Sequence, residues 1–132
     1  MQSKKKQPLI SGLGTDIIEV SRIREQILKQ PGLKEDLFTA TEIEYCENKS
    51  DNAQHYAARF AAKEAFLKAM GTGLRDGMKF KEIEIKKDDL DKPFIVLFGK
   101  TLEIFNTYNY KSIHLSMSHL KDVANAIVII EK

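Results

Sequence analysis

The clearest pattern in the chain lies over residues 51–70, where Ala, Leu, Lys and Glu dominate and no Gly or Pro interrupts. Such residues lose little on entering a helix, so a long helix is predicted, ended by Gly71-Thr72-Gly73. Upstream, residues 9–20 mix β-branched side chains with Gly12 and Gly14 and predict a strand interrupted by a tight glycine segment. Ser21 is placed to cap a helix over residues 22–30, stopped by Pro31-Gly32. Its spacing puts Ile23 and Ile27 inward and Arg22, Gln26 and Lys29 along another face. Thr41 is a plausible cap for a short helix over residues 42–47.

In the second half the period shortens to two. Residues 81–87 alternate, with Ile83 and Ile85 on one face and Glu82 and Glu84 on the other, which predicts an exposed strand. A turn over 88–93 leads to a buried strand over 94–98, then a short helix over 101–108. Residues 113–118 alternate again, Ile113, Leu115 and Met117 against His114, Ser116 and Ser118. Residues 120–122 turn the chain into a final strand, 123–130, close enough to pair with its predecessor as a hairpin. The predicted class is α+β, a mostly antiparallel sheet packed with one long helix and shorter ones, as a single domain over residues 9–132. Residues 1–8 read as a polar extension.

Composition narrows the function classes. A chain of 132 residues, 42% hydrophobic and 30% charged, is that of a globular protein with one core. Lys4, Lys5 and Lys6 and a pI near 8.6 raise the possibility of nucleic-acid binding. Against it, 19 Asp and Glu nearly balance 21 Lys and Arg, and no aromatic residues interleave with the basic ones. No apolar run approaches the ~20 residues that span a membrane. The single Cys46 excludes an intrachain disulfide and a multi-cysteine zinc site, and a lone free thiol fits a reducing compartment, the cytoplasm.

Two carboxylates stand out because their neighbours are apolar. Asp16 precedes Ile17 and Ile18, and a carboxylate in an apolar strand needs a partner. Gly12-Leu13-Gly14 before it lacks the third glycine and the βαβ context of a dinucleotide fingerprint. Glu64 shares a helical stripe with Tyr56, Phe60 and Leu67, where an apolar residue is expected. An ordinary i,i+4 pair with Lys68 is one account of it. Yet Arg59, Lys63 and Lys68 crowd the same turns, and acids beside bases before Gly-Thr-Gly suit a magnesium ion meeting phosphates. In Ser116-Met117-Ser118-His119 a Ser–His nucleophile fails, because strand neighbours face opposite ways. His119 is instead a phosphate donor or a structural histidine.

Together these segments resemble the 4'-phosphopantetheinyl transferases. Gly12-Leu13-Gly14-Thr15-Asp16-Ile17, followed by Glu19 and Arg22-Ile23, resembles the opening motif of that family. Arg59-Phe60-Ala61-Ala62-Lys63-Glu64-Ala65, with Lys68-Ala69 and Gly71-Thr72-Gly73, resembles the second. Ser116-Met117-Ser118-His119 and Ala124-Asn125-Ala126 resemble the last. Ile18 stands where the larger, two-halved members carry a further acid, which points to the small type and leaves that metal position to water.

The resemblance implies a fold and a reaction: phosphopantetheine passes from coenzyme A to a serine of an acyl carrier protein, in fatty acid biosynthesis. It further implies a homotrimer with active sites between subunits. Asp16 and Glu64 would hold magnesium and act in catalysis with Lys68. Lys68, Arg59 and His119 would contact coenzyme A phosphates, and Gly71, Thr72 and Gly73 would shape the nucleotide pocket. Arg22, Arg24 and Gln26 would dock the acidic carrier. The general base stays unassigned between Glu64 and a metal-bound water. A non-catalytic module that binds coenzyme A or a nucleotide is the rival reading, and it has no need of paired metal acids.

Overall fold

The computed structural model describes residues 9–132; the polar 1–8 stretch lies outside the described residues. A three-stranded antiparallel sheet has the order β1-β5-β4, formed by Ile10–Glu19, Val123–Glu131 and Ser112–His119. A separate hairpin pairs β2 (Ile83–Lys87) with β3 (Pro93–Leu97), also antiparallel. The helices are α1 (Val20–Lys29), α2 (Leu33–Leu37), α3 (Ala40–Glu47), α4 (Asn52–Met70) and α5 (Gly99–Thr107). The α+β class and the β4–β5 hairpin are as the sequence predicts. None of these helices is long and apolar enough to cross a membrane.

Helix α4 lies against the inner face of the sheet and is buried on almost every side. Its alanines allow this: Ala58, Ala61, Ala62 and Ala65 are all buried, and small side chains let other elements come close. The sheet supplies the matching absence. Gly12 and Gly14 do not interrupt β1, which runs unbroken with one register shift near its start. They are there because a Cβ on Gly12 would lie 2.1 Å from the Ala69 carbonyl oxygen, and one on Gly14 2.0 Å from that of Ala65. Glycine here serves close approach of strand to helix. At its far end α4 stops as predicted: Gly71 takes a left-handed φ of 74°, and its amide donates to the Leu67 and Lys68 carbonyls.

Three local expectations are corrected. Helix α1 starts at Val20, with Glu19 rather than Ser21 at its cap and no side-chain cap bond. Helix α3 is capped by Thr39, not Thr41, in a reciprocal box: the Glu42 amide donates to Thr39 Oγ1 at 3.2 Å, and the Thr39 amide to Glu42 Oε1 at 2.9 Å. The stretch over 81–87 is not an exposed strand. Phe80–Glu82 form a 3-10 turn, and Glu84 is buried beneath the α3 cap, accepting from Thr39 Oγ1 at 2.6 Å. Glu82 caps α5 through the Lys100 and Thr101 amides.

Lys63, grouped with the phosphate-binding cations in the sequence, is wholly buried. It donates to Glu42 Oε1 at 2.7 Å and to the Phe80 carbonyl at 3.0 Å. Glu42 completes its bonding by accepting from the Ile85 amide at 2.9 Å. This pair ties α4 to α3 and β2. Burial works to lower the Lys63 ammonium's pKa, against which Glu42 acts.

Gly14→Ala is therefore expected to destabilise the fold by about 3 kcal/mol, since the new methyl group meets backbone that cannot give way. Chemical denaturation checks this; an unchanged midpoint would remove the close-approach explanation.

Candidate active site

The edge strand β1 and helix α4 bring Asp16 and Glu64 together. Both line a cleft of about 270 Å³, with Ile17, Ile18, Phe60, and Arg22 and Gln26 from α1. Asp16 sits on the strand's inner face, its side chain 17% exposed, in register with Ala126 of β5. Lys68 reaches over from the next turn of α4. It donates to Asp16 Oδ1 at 2.9 Å and to the Thr15 carbonyl at 3.0 Å. So Lys68 pairs across to the strand, and the ordinary i,i+4 pair with Glu64 does not form.

Burial raises the Glu64 carboxyl above its usual range, the Asp16 charge raises it further, and Lys68 opposes both. Two carboxylates held this close in a half-buried cleft favour a cation between them. Among the described residues no third His, Cys, Asp or Glu joins them. The two acids with open positions are a fit for magnesium, which takes one or two carboxylates and fills its remaining positions with water and phosphate oxygens.

Arg59 and His119 are elsewhere. They line a second cleft of about 140 Å³ with His55, Ala58, Lys87, Asp91, Pro93 and Met117. His119 ends β4, the opposite edge of the sheet from β1, and its Nδ1 lies 2.8 Å from Gln54 Oε1. Arg59 is buried with its guanidinium carbon 4.1 Å from the centre of the Tyr45 ring. Lys49 and Lys87 flank the same ring at 4.6 and 5.4 Å. Burial works against ionising the Tyr45 phenol, but Lys87, Lys49 and Arg59 outweigh it and lower its pKa. His55 is pushed down to about 4 by burial and by His119, with Arg59 adding to it, so it is neutral at pH 7. Arg59 Nε is buried without a partner among the described residues, in a cleft that also holds Lys87, which pairs with Asp91 at 3.5 Å. That arrangement suits an anion.

Residues predicted as one site thus form two, on either side of α4. Gly71, Thr72 and Gly73 follow Lys68 at the end of the helix, with Gly71 and Gly73 both at positive φ. Arg22 and Gln26 line the acid cleft, whereas Arg24 borders a different groove and pairs with Asp51 at 3.3 Å. Tyr45, Lys49, His55 and Lys87 were missed by sequence reasoning, because they gather from α3, the turn after it, α4 and β2 without any shared motif. Cys46 is buried, and its thiol is pushed up to about 12 by that burial, so it is not a nucleophile.

The comparisons with known proteins agree with this architecture. A model of the 4'-phosphopantetheinyl transferase superfamily matches residues 12–128, and the chain belongs to that family. It is similar to the holo-[acyl-carrier-protein] synthase of Geobacter sp. (strain M21), 46% identical over 94% of this chain and 100% of that protein. The enzyme of the same name from Ruminiclostridium cellulolyticum is 50% identical over 89% of this chain and 90% of its own. Among solved structures, the holo-[acyl-carrier-protein] synthase of Neisseria meningitidis matches with TM-score 0.85 and 34% identity, covering 94% of this chain and 100% of that one. The Bacillus anthracis synthase, solved with CoA (3',5'-ADP), gives TM-score 0.77 and 35% identity over 95% and 99%. The predicted family and fold are borne out.

The raised Glu64 pKa is testable in the metal-free protein. A carboxyl-detected NMR titration is expected to place its midpoint above the ordinary 4.5. Asp16→Asn should bring that midpoint down part of the way, because it removes the like charge and leaves the burial. A midpoint that ignores this change would mean the two acids do not share a site.

Proposed function

We propose that this protein moves 4'-phosphopantetheine from coenzyme A to a serine of an apo acyl carrier protein, the holo-[acyl-carrier-protein] synthase reaction, using magnesium held by Asp16 and Glu64. One observation carries the reading. Two carboxylates from an edge strand and the central helix meet beside a lysine, in a chain similar to such synthases along nearly their whole length. A module that only binds coenzyme A has no use for that pair.

The bound metal would supply positive charge to the pyrophosphate oxygens, where negative charge builds as the leaving group departs. The chain's own residues do the rest. Lys68 lies beside the acids and neutralises a phosphate oxygen, while Arg59 and His119 hold the coenzyme's other phosphate-bearing end. The turn at Gly71, Thr72 and Gly73 borders the nucleotide. The carrier serine Oγ gives its proton to a base in the acid cleft as it forms the new bond to phosphorus, and adenosine 3',5'-bisphosphate leaves with the electrons of the broken P–O bond. Arg22 and Gln26 face the serine's approach from α1 and, with Arg24 at the flank, dock the carrier.

The two clefts also favour a homotrimer. One protomer separates the acid cleft at β1 from the cationic cleft at β4, and an assembly can set one beside a neighbour's other. The outer face of the sheet suits such a contact: Leu13, Ile17 and Ile127 are 66%, 71% and 42% exposed there. A free thiol at Cys46 fits a cytoplasmic enzyme.

Mixing the protein with coenzyme A, magnesium and apo carrier should add the phosphopantetheine mass to the carrier serine, and EDTA should abolish it. An unmodified carrier would overturn the function. Asp16→Asn and Glu64→Gln are each expected to lose about 3 kcal/mol of transition-state stabilisation, roughly 100-fold in kcat/KM, without loss of fold. Arg22→Glu should raise the KM for the carrier more than that for coenzyme A, and added salt should weaken carrier binding by the wild type. Light scattering should give a trimer for the wild type and smaller species for Ile17→Arg; a fully active monomer would rule out shared sites.

A further inference from the structure

Asp16 is already paired with a cation. Lys68 Nζ donates both to its Oδ1, at 2.9 Å, and to the neighbouring Thr15 carbonyl, at 3.0 Å, so the ammonium is fixed by two acceptors. Its side chain is 55% exposed while that of Asp16 is 17% exposed. The acid is nearly covered, and the lysine has room to leave on its flexible stem. With Lys68 in place the two carboxylates present one net negative charge, and one of them is engaged. Magnesium sheds water reluctantly and binds poorly to such a site alone. A pyrophosphate changes both conditions: it brings negatively charged oxygens for the metal, and it gives Lys68 another anion to bind.

We propose that Lys68 is the resident counter-ion of Asp16, and that the metal enters together with the pyrophosphate of coenzyme A rather than before it. The substrate taken up is then the metal–coenzyme A complex, and Lys68 exchanges Asp16 for a phosphate oxygen as that complex arrives. This rests on the reaction proposed above. A consequence is reciprocal coupling. Whatever factor coenzyme A adds to metal affinity, metal adds to coenzyme A affinity, typically about 5- to 150-fold for such linked sites.

The test measures Mn²⁺ binding by electron paramagnetic resonance, with and without coenzyme A, correcting for manganese bound by coenzyme A in solution. The wild type should bind Mn²⁺ weakly alone and at least about fivefold more tightly with coenzyme A. Lys68→Met should tighten Mn²⁺ binding to the coenzyme-free protein, because it frees Asp16 and restores the second negative charge. A lysine that merely positions Asp16 predicts the opposite sign, looser binding in the variant. Lys68→Gln is a second variant, and circular dichroism melts verify that both fold. Equal or weaker Mn²⁺ affinity in folded Lys68 variants would overturn the proposal, as would wild-type affinity indifferent to coenzyme A. If no protein binds Mn²⁺ even with coenzyme A, and transfer survives EDTA, the magnesium reading itself falls and this one with it.

Discussion

The close approach of β1 to α4 sets the geometry from which the acid cleft follows. Gly12 and Gly14 face Ala69 and Ala65 with no room for a methyl group between strand and helix. Only at that separation can Asp16, two residues past Gly14, reach the same cleft as Glu64 and accept from Lys68 on the helix. A wider gap would leave two isolated carboxylates, each better solvated alone than paired. The glycines and alanines thus act through what they lack, and the chemistry sits directly beside the tightest contact, where Glu64 and Lys68 adjoin Ala65 and Ala69.

A second constraint fixes α4 from its other side. The buried Lys63–Glu42 pair, with the Phe80 carbonyl and the Ile85 amide, satisfies two charges that would be costly to bury singly. It sits beside Glu64 in sequence but serves a different purpose. Lys63 and Glu64 leave the helix in different directions, one into the α3–β2 junction and the other into the cleft. Neighbouring charges in a motif therefore divide into one that positions the helix and one that lines the site.

Separation of the two clefts is the functional consequence of this arrangement. Asp16 lies on one edge strand and His119 ends the other, with β5 between them and α4 beneath. The paired acids lie at one side, with Lys68 and Arg22 beside them, and a cluster of cations lies at the other, around Tyr45 and Arg59. The proposed substrate, with a metal-binding pyrophosphate and a further phosphate, would match that arrangement. In the proposed trimer, the exposed apolar residues of the outer sheet face would bring one protomer's acids to another's cations.

Much of this was legible in the sequence because it is local. The 51–70 helix, its glycine stop, the terminal hairpin and the anomaly of Asp16 and Glu64 each follow from propensity or period within a few residues. Both caps were misplaced by two positions, since Ser21 is by type a better cap than Glu19 and Thr41 as good as Thr39, so local preference does not choose the observed start. The exposed strand over 81–87 failed because alternation predicts two faces but cannot foresee that α3 covers the second one. For the same reason sequence spacing grouped Lys63, Arg59 and Lys68 as one cationic surface. Tertiary structure alone decided that Lys63 is buried against Glu42, that Arg59 belongs with Tyr45 and Lys87, and that Lys68 turns to Asp16. The residue types were fixed by what each position must be chemically; which charge meets which was fixed by elements distant along the chain, and only packing brings those together.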